Sequence, residues 1–330
     1  MVKVSVILTA FNEEKYIGKA IDSILNQTLT DFELIIVNDG STDNTLNIIN
    51  SFEDKRIKLI SHDNIGPGAS RNKALNIAKG EYIMYLDGDD WYHGDGLEIA
   101  YKEAKNKDTD FTFYQMINYD EKTGKTYEND WFNLNIFDES FENTVFNIND
   151  FKGSIFDLSV GVCQKIYNTS FLKRIDAKFP EGILFEDMPF FYYVLLKAEK
   201  ISIIKKQLYY RRKHDESITH VVDEKFLDTV PAGQELIRIF MENGWYDTYK
   251  FDLLAYKING PRFALRDIEE NYKIPLYRLI KKDYHSIKQS EYYQDYLENL
   301  GQVKKKFFLD IIKSKNYDDY LAISSNKDNS

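Results

Sequence analysis

Tyr82-Ile83-Met84-Tyr85-Leu86-Asp87-Gly88-Asp89-Asp90 is the stretch that decides how this chain is read. Five residues of strand character run into three carboxylates around one glycine. A buried strand that delivers acids at its carboxyl end builds a site at the edge of a parallel sheet, where open α/β folds bind ligands. Carboxylates this close repel one another and are best tolerated with a divalent cation or a ribose hydroxyl between them. The stretch therefore reads as a site for a metal and a nucleoside diphosphate. The plainer alternative is a turn held by Asx hydrogen bonds. An Asp-x-Asp triplet alone says little in a chain with 53 acidic residues among 330. Asp108-Thr109-Asp110 is one such triplet. It precedes the strand-like Phe111-Thr112-Phe113-Tyr114 and reads as a solvated turn.

Working outward, strands and helices alternate. Val4-Ser5-Val6-Ile7-Leu8 reads as a buried parallel strand. Ile17, Ala20, Ile21, Ile24 and Leu25 then fall on one helical face, with Asn12 as its expected N-cap and Glu13 and Glu14 suited to the first turn. Phe32 to Val37 is a second strand, ending in Asn38-Asp39-Gly40-Ser41-Thr42-Asp43, where Asp43 suits a helix cap. Ile57 to Ile60 is a third strand. Gly66-Pro67-Gly68 leads into a helix over about 69–78. This rhythm predicts a doubly wound, mostly parallel sheet. Beyond Trp91 it breaks. A strand is expected over 111–118, loops or an irregular hairpin over 119–150, a helix over 186–198, and short strands at 201–204 and 207–210. From about Val222 only helical patterns follow, and the Ser324–Ser330 tail reads as frayed.

The composition supplies an apolar fraction of 43%, enough for a proper core. Its net charge of -10 argues against nucleic acid as a partner. The single cysteine, Cys163, rules out an intrachain disulfide and has no visible activating partner. The N-terminus reads as a strand rather than a signal peptide, and no apolar run reaches membrane-spanning length. A cytoplasmic location is expected, with peripheral attachment to the inner face of a membrane left open.

Six motifs in order resemble the inverting family-two glycosyltransferases, which carry the GT-A nucleotide-diphospho-sugar fold. They are Val4 to Asn12, Glu33 to Asp43, Gly68-Ala69-Ser70-Arg71-Asn72, Leu86 to Asp90, Glu186-Asp187, and Tyr210-Arg211-Arg212 with Ser217-Ile218-Thr219. The resemblance covers roughly residues 3–220. It implies a GT-A domain over 1–221, with a nucleotide-sugar half to about 100 and an acceptor half from about 101. A C-terminal helical extension occupies 222–330.

The resemblance implies a UDP-sugar donor, a Mn²⁺ or Mg²⁺ ion, and a glycan or glycoconjugate hydroxyl as acceptor. Thr9 and Ala10 would wall the base pocket, Glu13 would hold ribose, and Asp39 would lie beside uracil. Arg71 would reach uracil or phosphate. Asp87, with Gly88 in its loop, would contact ribose, or metal through water, and Asp89 would bind the metal directly. Asp187 would be the general base of a direct displacement at the anomeric carbon. Arg212 and Ser217 would belong to a loop over the diphosphate, His214 would complete the metal shell, and Lys165 would touch phosphate or acceptor. The family often has an aromatic where Cys163 stands, so acceptor packing differs there.

Two rivals lack their signatures. A sugar-nucleotide nucleotidylyltransferase needs a glycine-rich loop with Arg after the first strand, and a dehydrogenase needs Gly-x-Gly-x-x-Gly there. Thr9-Ala10-Phe11-Asn12 is neither. A non-catalytic scaffold partnering another transferase would not need Asp39, Asp89 and Asp187 together. Residues 222–330 carry too many apolar side chains for a solvated tail. A homo-oligomer built on these helices is the expected use. Lys304-Lys305-Lys306 before Phe307-Phe308 raises lipid contact, against the plainer reading of a solvated basic turn.

Overall fold

The computed structural model describes residues 1–214 and 222–325. Chain contacts divide the described residues into two compact units, one of residues 1–182 and 186–214, the other of 183–185 and 222–325.

The first unit is a nine-stranded sheet with helices on it. Its elements begin β1 (Val4–Ala10), α1 (Ile17–Leu25), β2 (Phe32–Asp39), α2 (Thr45–Asn50), β3 (Ile57–His62), α3 (Pro67–Ile77) and β4 (Tyr82–Asp87). Then come β5 (Trp91–Tyr92), α4 (Gly96–Lys107), β6 (Phe111–Asp120), β7 (Lys125–Tyr127), β8 (Lys165–Asn168), α5 (Thr169–Arg174), α6 (Asp187–Lys197) and β9 (Ile201–Lys213). The order is β3-β2-β1-β4-β8-β6-β9-β5, with β7 paired to β6. β3, β2, β1 and β4 are parallel, and buried side chains line both faces of β1, β2 and β4, as a helix-covered parallel sheet requires. The chain leaves β1 toward β2 and β3, then returns to β1's other side as β4. β1 and β4 therefore flank the switch point where such sheets bind ligands. There Thr9 lies in register with Asp87.

Three expectations are corrected. Asn12 does not cap α1: it has φ 58°, its side chain accepts the Thr42 N–H at 2.8 Å, and α1 starts only at Ile17. Asp108-Thr109-Asp110 is not a solvated turn. Asp108 ends α4 in the left-handed conformation, Thr109 is buried, and the buried Asp110 accepts the N–H groups of Glu199 and Lys200. Strands at 201–204 and 207–210 are one strand, β9, whose pairing with β6 shifts register near Gln115. That irregularity breaks the alternation that a sequence reading depends on. Helix α4, with buried Leu97, Ala100 and Ala104, was not anticipated.

The second unit is helical. It contains α7 (Thr229–Glu242), α8 (Tyr246–Asp267), α9 (Glu270–Gln289), α10 (Tyr293–Asn299), α11 (Gln302–Lys313) and α12 (Tyr317–Ser325). Phe308 stacks on Tyr296 and packs against Tyr284, so the pair Phe307-Phe308 is core and not an apolar tip. Lys306 is paired with Asp310 at 3.1 Å. Among the described residues no helix is long and apolar enough to cross a membrane.

Candidate active site

The acid loop after β4 presses on the end of β1. A Cβ at Gly88 would lie 2.9 Å from Glu13 Cγ and 3.2 Å from the Thr9 carbonyl oxygen, so a side chain there would have to displace Glu13. Thr9, Ala10 and Glu13 thus adjoin the loop carrying Asp87 and Asp89. The Glu13 N–H is held by Thr45 Oγ1 at 2.7 Å.

Each acid has a distinct setting. The Asp87 carboxylate accepts from Arg71 Nη2 at 2.9 Å. Asp89 Oδ2 lies 3.1 Å from His214 Nε2. Asp90 is buried, accepting the Tyr209 hydroxyl at 2.7 Å and the Arg212 N–H at 2.6 Å. Burial first, then the charges of Asp89 and Asp87, push the Asp90 carboxyl well above the usual carboxylate range.

At the end of β2, Asp39 holds the loop before α3. Its two oxygens accept the N–H groups of Ile65 at 2.8 Å and Gly66 at 3.0 Å. Each oxygen keeps a further lone pair. Asp43 accepts the N–H groups of Thr45 at 2.9 Å and Glu14 at 3.0 Å, tying the start of α2 to the turn after β1.

Arg71, on α3, is buried between Asp87 and Glu186 and bonded to both. Burial by itself would lower its pKa, but the two carboxylates more than offset that and raise it. The guanidinium is therefore permanently charged. Glu186 is buried, and Asp187 beside it is half-buried at the first position of α6. Burial, then the Glu186 charge, push the Asp187 carboxyl up to about 7. Phe185, just before the pair, has φ 62°, an uncommon conformation for an aromatic residue.

Lys165 opens β8 fully buried. Its ammonium donates to the carbonyls of Ser159 at 2.9 Å and Gly161 at 2.7 Å and lies over the Phe113 and Phe191 rings. Burial pulls its pKa down to about 7. Arg212 lies over the rings of Tyr16 at 4.6 Å and Trp91 at 4.8 Å, and bonds Glu121 and the Asp89 carbonyl. Ser217 lies outside the described residues. Cys163 is buried, and burial pushes its thiol up, so it is no nucleophile.

The structure thus gathers Thr9, Ala10, Glu13, Arg71, Asp87, Gly88, Asp89, Arg212 and His214 around the β4 loop, with Asp187 tied in through Glu186. Sequence reading missed Tyr16, Glu121 and Tyr209, which hold Arg212 and Asp90. Only the period-two spacing of Tyr210 and Arg212 hinted at this aromatic wall, where Trp91 stacks on Tyr210 at 5.1 Å. For a divalent cation, Asp89 and His214 bring a carboxylate oxygen and an imidazole nitrogen together, donors that suit Mn²⁺. Among the described residues no group of three such side chains forms.

An acid loop at the switch point of a mostly parallel α/β sheet is where open folds of this class bind ligands. The model of the family "Glycosyl transferase family 2" matches residues 5–163. EpsH of Bacillus subtilis (strain 168) is 32% identical over 256 residues, covering 76% of this chain and 72% of EpsH. The chain belongs to glycosyl transferase family 2. Glycosyltransferase GlyA of Streptococcus pneumoniae is 31% identical over 255 residues, 74% of this chain and 35% of GlyA. The poly(ribitol-phosphate) beta-N-acetylglucosaminyltransferase TarS of Staphylococcus aureus is 30% identical over 270 residues, 78% of this chain and 44% of TarS. The chain therefore spans less than half the length of those two relatives. The crystal structure of TarS 1–349 in complex with UDP-GlcNAc superposes with TM-score 0.71 at 22% identity, covering 97% of this chain and 90% of that one. The fold is the expected GT-A architecture with C-terminal helices.

Proposed function

We propose that this chain is a metal-dependent, inverting glycosyltransferase. It moves a hexose or N-acetylhexosamine from a UDP-sugar to a hydroxyl of a glycan or glycoconjugate in surface-polysaccharide, teichoic-acid or protein-glycan synthesis. The observation that carries this reading is the Asp87–Arg71–Glu186 chain of ion pairs. It joins the acid loop to the start of the element bearing Asp187. The complex of TarS with UDP-GlcNAc supports the donor class, and the name of TarS, a poly(ribitol-phosphate) beta-N-acetylglucosaminyltransferase, supports the acceptor class.

In this reading Asp39, Thr9, Ala10 and Glu13 hold the uridine, and Asp87 orients the ribose. Asp89 and His214 hold a Mn²⁺ or Mg²⁺ ion, which when bound neutralises charge on the departing diphosphate. Arg212 faces the diphosphate, and Lys165 fixes the 159–161 loop on the acceptor side. Asp187 takes the proton of the attacking hydroxyl as it displaces UDP at the anomeric carbon. Its lifted pKa suits that task, since a base poised near the working pH is both deprotonated and basic enough. A cytoplasmic location accompanies a nucleotide-sugar donor. Self-association, where it occurs, draws on the exposed Phe251 and Phe263 of the helical unit.

The test is UDP release from UDP-GlcNAc, UDP-glucose and UDP-galactose with Mn²⁺ present, followed by mass analysis of glycans from a deletion strain. Binding of these donors with no turnover across acceptors would favour a non-catalytic scaffold.

A further inference from the structure

The Gly68-Ala69-Ser70-Arg71-Asn72 motif, expected to face the donor, makes a second set of contacts. A Cβ at Gly68 would lie 2.2 Å from the Pro180 carbonyl oxygen and 3.2 Å from Glu186 Cγ. α3 therefore presses on Pro180 and Glu186. Asn72 holds the chain on either side of Pro180. Its side chain accepts the Phe179 N–H and donates to the Phe179 carbonyl, both at 2.9 Å, and donates to Glu181 at 2.9 Å. Arg71 holds it at Glu186. The motif thus grips, at three points, the stretch that terminates in Asp187.

We propose that Arg71 and Glu186 are positioning residues for the base: they fix the start of α6 and set the proton affinity of Asp187. This inference rests on the reading of Asp187 as the base. The charged groups acting on Asp187 are Glu186, Arg71, Asp87 and Lys165. Glu186 and Asp87 favour its protonated form, and Arg71 and Lys165 favour its ionised form. Removing the Glu186 charge must therefore lower the Asp187 pKa, and removing the Arg71 charge must raise it. A general loosening of the site, or loss of a donor contact, produces no such pair of opposite shifts.

The experiment is the pH dependence of kcat/KM for UDP release from UDP-GlcNAc, or from whichever of the three UDP-sugars the full chain turns over. Wild type, Glu186→Gln, Arg71→Met and Arg71→Lys are compared. In Glu186→Gln the acid limb is expected to move down by about one pH unit or more, and in Arg71→Met up by a similar amount. Arg71→Lys keeps the charge and is expected to restore the limb to near its wild-type position at reduced rate. Unmoved limbs with lower plateaus, or a raised KM for the UDP-sugar alone, overturn the proposal and return Arg71 to the donor. Should Arg71→Met fail to fold, the near-isosteric Glu186→Gln decides the matter alone. Asp187→Asn separates this failure from that of the underlying reading. If that variant keeps wild-type turnover, Asp187 is not the base.

Discussion

Glu186 and Asp187 are neighbours in sequence with opposite settings: the first is bonded to a buried arginine, the second is lifted by burial and then by its neighbour's charge. An ordinary Asp loses its charge only near pH 4. With its pKa at about 7, Asp187 takes up its proton as pH falls through neutrality, so a reaction that needs its ionised form loses rate below that point. We expect kcat/KM to rise with pH through about 7 in wild type. Asp187→Asn should lower turnover by roughly a hundredfold or more while UDP-sugar binding, measured by calorimetry, stays near wild type. Collapsed donor affinity instead would make Asp187 a binding residue. Asp89→Ala and His214→Ala should each remove the response of activity to Mn²⁺ while leaving the circular dichroism spectrum unchanged. Undiminished metal response in Asp89→Ala would place the ion elsewhere. The sequence marks where these acids sit: Asp39 and Asp87 end strands, Asp89 lies in the turn after β4, and Asp187 opens a helix. Glu121 has no such mark. Its partner Arg212 is 91 residues away, and nothing local in the sequence marks so distant a pairing.

The strand-and-helix alternation of the first ninety residues was readable because fully buried parallel strands leave continuous apolar runs. The second half of the sheet was less so. β8 is four residues long and antiparallel to both its neighbours, and β9 changes register midway, so neither presents a clean period. What the sequence hid most completely was the purpose of the glycine at the start of α3. Gly68 has no unusual φ, and its need for hydrogen in place of a methyl group comes from Pro180, more than a hundred residues on. Gly68→Ala should force α3 away from Pro180 and Glu186, costing about 1–3 kcal/mol in urea denaturation and lowering kcat. Unchanged stability and kcat would mean that these residues yield freely. In the helical unit a comparable point of contact is polar. Lys257 on α8 bonds Asp283 on α9 at 2.6 Å, and Gln234 on α7 bonds the other Asp283 oxygen at 2.8 Å, with the ion pair buried. Lys257→Met strands the aspartate and should cost about 3–5 kcal/mol, whereas Lys257→Met with Asp283→Leu should recover most of that loss. A double variant no more stable than the single would show that the three helices depend on the polar node itself.

At the scale of the whole molecule, the question is what the apolar side chains of residues 222–330 bury against. Their apolar content reads as surface in search of a partner. Leu253, Leu254, Ile258, Ile280, Phe308 and Ile311 are instead fully buried, and the rings of Tyr284, Tyr296 and Phe308 pack together. The pattern supplied the helices but not their mutual packing, because several short amphipathic helices bury their stripes equally well against each other or against a second subunit. The two outcomes differ in one measurable way. A chain that buries its apolar stripes only on forming an oligomer gains stability with concentration by mass action. A chain whose helices pack among themselves does not. The remaining exposed apolar residues of this region, Phe251, Phe263 and Val303 among them, lie on different turns or helices, and single exposed apolar side chains are ordinary on protein surfaces. We therefore expect the thermal midpoint of the full chain to stay constant over about a hundredfold change in protein concentration, whatever association light scattering detects. A midpoint that climbs with concentration would show that subunit contacts complete this core. Phe251→Ser and Phe263→Ser would then be the variants to locate them.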